Sequence, residues 1–296
     1  MVSMARHAPS SPTRPCLPLR SRANALALAL ALAFTLAVLS ALPGTARAAA
    51  PLMIWPVDPV IAGEQRAVAL WVENRGGEPV SLQARVFAWR QENGDDQFTA
   101  QQAVVASPPI SHIPPGERQM VRLIATHPVP PGQEQAYRVL IDELPPPAPE
   151  LPAGTLPPVV RPSTHLGVRL QIRYAIPLFV YAPGTLGPRM PATHTGLLPS
   201  LGVGASLEPS LQWDVERGGD GTHYLVVHNT GPGHARLTAV RWHADGREGA
   251  TINPGLMGYV LPHSQRRWEL PQAPLPGHGL QATVNGRAAP LPRATQ

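Results

Sequence analysis

Eleven histidines, nineteen carboxylates and twenty-four basic residues carry most of the polar chemistry of this 296-residue chain. Every basic residue is an arginine, so lysine-dependent catalysis is excluded. His223, His228, His234 and His243 lack a regular metal-ligand motif with nearby carboxylates, and they read as surface or turn residues. Asp142 and Glu143 are adjacent, but neighbours on a strand point to opposite faces, so they do not form an acid–base pair. No G-x-S-x-G, P-loop, G-x-G-x-x-G or H-E-x-x-H motif is present, and Gly202-Val203-Gly204 reads as a flexible stretch. The expectation is a protein that is not an enzyme, with no cofactor, no metal and no small-molecule substrate. Every guanidinium in the chain is a planar fork of hydrogen-bond donors.

The elements that position such arginines begin after a leader. Residues 1–50 hold Arg6, Arg14, Arg20, Arg22 and Arg47 and no acid, which accounts for the whole net charge of +5. The rest is balanced, and a nucleic-acid partner loses its electrostatic support. A charged start, the apolar run Asn24–Leu42, the break at Pro43-Gly44 and the Ala46-Arg47-Ala48 exit predict a signal peptide over residues 1–49, cut between Ala48 and Ala50. A run of that length also fits an uncleaved membrane anchor. Cys16, the only cysteine, leaves with the leader, so the mature chain has neither disulfides nor thiolate-bound metal. Export without disulfides fits a bacterial periplasm.

Thirty-eight prolines argue against long helices. Short alternating segments predict strands instead: Val68–Val72, Ser81–Trp89, Gln119–Ile124, Tyr137–Leu144 and Gly167–Tyr181. A second set covers Leu211–Glu216, His223–His228, Ala235–His243, Gly258–Leu261, Arg267–Leu270 and Leu280–Val284. Glu92–Asp96 reads as a turn cluster and Pro145–Pro162 as an extended loop. The two halves echo each other: Leu70–Gly76 then Trp89, and Leu225–Gly231 then Trp242, each with an Asn-x-Gly turn. The fold expected is all-β, with two tandem immunoglobulin-like sandwiches at 50–182 and 208–296, joined by a linker at 183–207.

Four segments in order resemble the periplasmic pilus-assembly chaperones (PapD-like). They are Leu70–Asn74 with Val86–Trp89; Ser107–Ile110 with Pro114–Arg122; Tyr137–Pro145; and Ile172–Val180. The second half is similar more loosely, through Asn229–Gly231 and Gly258–Pro262. Arg138 and the Arg173–Val180 stretch look most like the archaic or sigma-type branch. The resemblance implies a boomerang of two domains that lends a strand to an unfinished pilin, a known mode of β-augmentation. It also implies pilin subunits and an outer-membrane usher as partners. The competing class is a tandem cell-envelope scaffold or adhesin module without chaperone activity.

Carried over residue by residue, the resemblance makes Leu166, Val168, Leu170 and Ile172 the apolar donor side chains. An ordinary half-buried strand has the same alternation. Burying four such side chains offers roughly 6–12 kcal/mol before ordering costs. Typical family members hold the pilin's terminal carboxylate with an Arg and a Lys. The matching positions here are Asp58 and Pro177, and neither donates to a carboxylate. Arg138 is therefore the first candidate for the anchor and Arg173 the second. The other reading of either is a surface ion pair with Asp142 or Glu143.

Overall fold

The computed structural model describes residues 51–145, 171–187, 205–244 and 247–295, which fall in one compact unit, Ala48–Gln296. Among these residues there is no helix. Ten strands build the first sandwich. They are β1 Leu52–Trp55, β2 Val60–Ile61, β3 Ala67–Asn74, β4 Val80–Glu92, β5 Asp95–Ala100, β6 Val104–Ser107, β7 Ile110–Ile113, β8 Arg118–Ala125, β9 Glu134–Leu144 and β10 Arg173–Tyr181. One sheet runs β1-β3-β8-β6; the other runs β2-β10-β9-β4-β5, with β7 also on β4. Alternation decides the faces. Leu70 and Val72, Val121 and Leu123, Tyr137, Val139 and Ile141, and Ile176, Leu178 and Val180 all meet in the first core.

Two short strands, β11 Thr185–Leu186 and β12 Ala205–Ser206, pair in parallel inside the stretch expected to be a plain linker. Leu207, at its end, is buried against Tyr181 and Tyr259. The second sandwich comprises β13 Leu211–Arg217, β14 His223–Asn229, β15 Ala235–Ala244, β16 Arg247–Val260, β17 Ser264–Leu270, β18 Gly279–Val284 and β19 Arg287–Leu291. Its sheets run β13-β14-β17 and β16-β15-β18-β19. Trp213, Leu225, Val227, Leu237, Val260 and Leu280 fill its core.

The turn expected over Glu92–Asp96 is narrower than that. Only Asn93 and Gly94 turn, both with positive φ, and Glu92 pairs Asp95 across a two-residue hairpin. That geometry matches the twist of the flanking strands, so Asp95 and Asp96 are free to begin β5.

The internal echo is structural. Asn74 and Asn229 are both buried. Each accepts a bond from the amide two residues on, Gly76 at 2.9 Å and Gly231 at 3.0 Å. Each donates to the carbonyl four residues on, Glu78 and Gly233, and to the residue before a proline across the sandwich, Ile113 and Leu261. One side chain thus closes the same corner in both sandwiches. The echo ends at the tryptophans: Trp242 packs in the second core, whereas Trp89 faces out of the first.

Candidate functional site

The outward face of the larger first-domain sheet is set by register. Phe87 lies beside Arg138, and Arg138 beside Pro177, with Ala100 next to Phe87. One step along each strand's outward face come Phe98, Trp89, Ala136 and Phe179, then Asp96, Gln91, Glu134 and Tyr181. The parity explains an oddity of β10. Its even residues enter the first core, and its odd residues Phe179 and Tyr181 are nevertheless buried, because the second sandwich covers them.

This cover is a specific junction. Trp89, Phe179 and Tyr181 pack with Leu207, Tyr259 and Leu261. The Gln91 amide reaches across, donating to the Tyr259 carbonyl at 2.8 Å and accepting from the Leu261 amide at 2.8 Å. It copies the donor and acceptor pattern of a strand. The carboxylate of Glu134 accepts from the His234 ring at 2.9 Å, and that ring stacks flat on Phe179 at 3.5 Å. At the hairpin tip the Gly94 carbonyl accepts from Arg267's amide and from Arg266's guanidinium. Tyr181 is enclosed; burial first, then the neighbouring Glu134, push its phenol well above the usual tyrosine range.

Arg138 sits at the rim of this junction. Its guanidinium lies 3.8 Å from the Trp89 ring centre and 5.7 Å from that of Phe98. Its Nε is shut from solvent with no hydrogen-bond partner. Burial lowers its pKa, Asp96 and Tyr259 oppose that shift, and Arg266 adds to it. An arginine stays charged through such a shift, so the site holds a partly dehydrated cation with unused donor capacity. A carboxylate is the group that such a fork accepts best.

Beside it runs an unfilled sheet edge. β2 pairs β10 only at Phe179 and Val180. From Arg173 to Leu178 the far side of β10 has no strand among the described residues. The Phe179 amide points to that side, bonding the Pro59 carbonyl, while the carbonyl of Ile172 points to β9. Odd residues therefore offer their backbone groups to the open edge: Arg173 and Ala175 both groups, Pro177 its carbonyl alone. A proline tolerates an edge because its missing donor costs no ladder bond there.

Of the donor side chains expected from sequence, Ile172 is half-buried on the inward face that Tyr174 and Ile176 continue. Leu166, Val168 and Leu170 lie outside the described residues. Arg173 stands away from Arg138, at the other end of β10. Its side chain is 60% exposed and pairs with Asp142, which also takes a 2.6 Å bond from Arg85. Burial pushes the Asp142 carboxyl up, but the bonds from Arg173 and Arg85 outweigh this and hold it below the usual range. Asp58 lies in the bend between β1 and β2, where its charge acts on Tyr259. His234 is not the surface or turn residue expected: it is 4% exposed, because the first sandwich supplies both its carboxylate and its stacking partner. Trp89, Gln91 and Asp96 were not legible as site residues. The one signal was that Phe87 and Trp89 occupy the polar parity of their strand.

Residues 56–186 match the family profile described as pili and flagellar-assembly chaperone, PapD N-terminal domain. Among solved structures, the chain is similar to one from the CsuC–CsuE chaperone–tip adhesion subunit pre-assembly complex of the archaic chaperone-usher Csu pili of Acinetobacter baumannii. That match has 28% identity, covers 83% of this chain and 100% of the other, and has a TM-score of 0.61. The Pseudomonas aeruginosa CupB2 chaperone matches at 18% identity, over 82% of this chain and 100% of its own, with a TM-score of 0.46. No curated protein matches the chain by sequence.

Proposed function

Starting from a chain that is a PapD-like assembly chaperone, we propose that it caps pilin subunits in the periplasm by donating β10 to them, with Arg138 holding the subunit's terminal carboxylate, and hands them to an outer-membrane usher. The observation that carries this reading is the half-enclosed Arg138 guanidinium, stacked on Trp89, one strand in from an open edge.

The geometry gives the added strand a direction. A carboxylate at Arg138 puts the subunit's end beside Pro177, because Arg138 and Pro177 are register partners. Beyond Pro177, β2 occupies the edge. The added strand therefore runs parallel to β10 and stops at β2. Pro177, the residue between this edge and Arg138, presents only a small ring on the outward face. The edge groups of Arg173, Ala175 and Pro177 satisfy the subunit's backbone, and the donor side chains, Ile172 among them, fill its groove. The similarity to the Csu complex supports a subunit as the partner. Arg173, occupied by Asp142, is the weaker anchor.

The test is co-expression with a candidate pilin, scoring soluble complex at matched chaperone levels. Arg138→Ala should abolish capture while leaving the melting temperature nearly unchanged, and Arg138→Lys should restore it only in part. Arg173→Ala should reduce capture less. Normal capture by the Arg138→Ala, Arg173→Ala double variant would overturn the assignment.

A further inference from the structure

We infer that Asp96 is the positioning residue for the carboxylate site at Arg138, and that through Asp96 the site is tied to the docking of the second sandwich. This rests on the reading of Arg138 given above.

The argument begins at the hairpin. Asp96 is the second residue of β5 and faces outward beside Gln91. Its Oδ1 accepts two bonds, from the Trp89 indole at 2.9 Å and from the Gln91 amide at 2.9 Å. Its Oδ2 stands 3.5 Å from Arg266 of the second sandwich. Each bond fixes something different. The first sets the plane of the indole on which the Arg138 guanidinium rests at 3.8 Å. That ring has few other constraints of direction: its contacts with Phe179 and Tyr259 are tilted or edge-on aromatic packing. The second orients the Gln91 amide, since a nitrogen facing Asp96 and the Tyr259 carbonyl leaves the oxygen for the Leu261 amide. The third draws β17 to the hairpin. One carboxylate thus sets the anchor's floor and the direction of the junction's bridging amide.

The charge on Asp96 is also the largest favourable electrostatic influence on Arg138. It acts without occupying the fork: the two hydrogen bonds that Oδ1 accepts come from Trp89 and Gln91. The arrangement keeps the cation in place and its donors available, which direct pairing would not do. Arg173, consumed by Asp142, shows the contrast.

The test uses the whole mature chain and a synthetic eight-residue alternating Thr-Val peptide, made with a free terminal carboxylate and as the terminal amide. The measured quantity is the ratio of the two affinities. Wild type should prefer the carboxylate by at least tenfold, and Arg138→Ala should bring the ratio to about one. Asp96→Ala should cut the ratio at least fivefold while the amide peptide binds as before. Asp96→Asn keeps an oxygen for the Trp89 and Gln91 donors and should recover most of the preference. Trp89→Phe, which keeps a ring and loses the indole donor, should fall between. The indole N–H resonance of Trp89 should move in Asp96→Ala and stay near its place in Asp96→Asn. A collapsed ratio in Arg138→Ala with an intact one in Asp96→Ala and Trp89→Phe overturns the role of Asp96 alone. An intact ratio in Arg138→Ala overturns the anchor itself.

Discussion

Replacing Gln91 with leucine tests whether the two sandwiches are held by specific bonds or by shared apolar contact. Leucine keeps the bulk and removes both polar ends. In the wild type the side chain is 9% exposed, and both of its cross-junction bonds, to the Tyr259 carbonyl and from the Leu261 amide, are 2.8 Å long. The substitution strands one backbone acceptor and one backbone donor in a region walled by Trp89, Phe179 and Tyr259. Leaving a buried polar group unpaired costs about 1–3 kcal/mol, so the pair should cost roughly 2–4 kcal/mol once partial relaxation is allowed. The loss should fall on the junction. Gln101 provides the control, because it makes three comparable bonds, to Val86, to Val104 and from Val104, all inside the first sandwich. Urea unfolding would measure both variants, and spin labels at exposed positions 64 and 287 would report the distance between sandwiches. Gln91→Leu should broaden that distance distribution and Gln101→Leu should not, although both lower stability. A Gln91→Leu variant within about 0.5 kcal/mol of wild type, with an unchanged distribution, would refute the claim that these bonds set the junction.

The paired corners predict paired defects: Asn229→Ala, which removes bonds to Gly233, Val260 and Leu261, should unfold the second sandwich first, and Asn74→Ala the first, each losing about 2–4 kcal/mol by hydrogen-exchange protection. Alkali should act on the junction. Tyr181 and Tyr259 both have raised pKa values, so their contribution is complete below the ordinary tyrosine value near 10 and is lost as pH rises beyond it. In a background with Tyr174→Phe and Tyr224→Phe, a tyrosinate absorbance that rises only with the unfolding signal would agree, and one that precedes it would not. Acid should act at the other end of β10. Asp142 has a lowered pKa, so the ties from Arg85 and Arg173 persist above the usual aspartate range and fail only as pH falls below it. Carboxyl NMR titration of Asp142 checks the direction. Asp142→Asn should cost under about 1 kcal/mol at neutral pH, since both arginine side chains keep contact with solvent, 41% exposed in Arg85 and 60% in Arg173.

What the sequence made legible was whatever period two encodes. Leu82 and Ala84, Tyr137, Val139 and Ile141, and Leu280 and Ala282 alternate cleanly and form strands where expected. The short strands β1, β2, β6 and β7 escaped because two to four residues carry no readable period. β5 was hidden by its acids, which look like a turn until Asn93 and Gly94 are seen to suffice. Arg138 was singled out through its likeness to a family position, and the structure adds its surroundings, Trp89 beneath and Pro177 beside. The junction was illegible on principle. Trp89 and Asp96 lie seven residues apart, but the groups that give them meaning, Tyr259, Leu261 and Arg266, are some 170 positions away. His234 shows the same limit, since its partner Glu134 is one hundred residues upstream.

The two-residue strand β2 carries a consequence for timing. It closes the edge of β10 at Phe179 and Val180, directly beyond the register partner of Arg138. On the proposed reading, a strand added upstream of that stop must end there, and its last residue must carry a free carboxyl group. A polypeptide acquires that group only when its synthesis is finished. A subunit still emerging from the membrane, or one extended at its end by a tag, meets β2 before it meets the guanidinium. On that reading the stop and the arginine together would act as a completeness check, selecting finished chains over nascent or extended ones without reading any side chain.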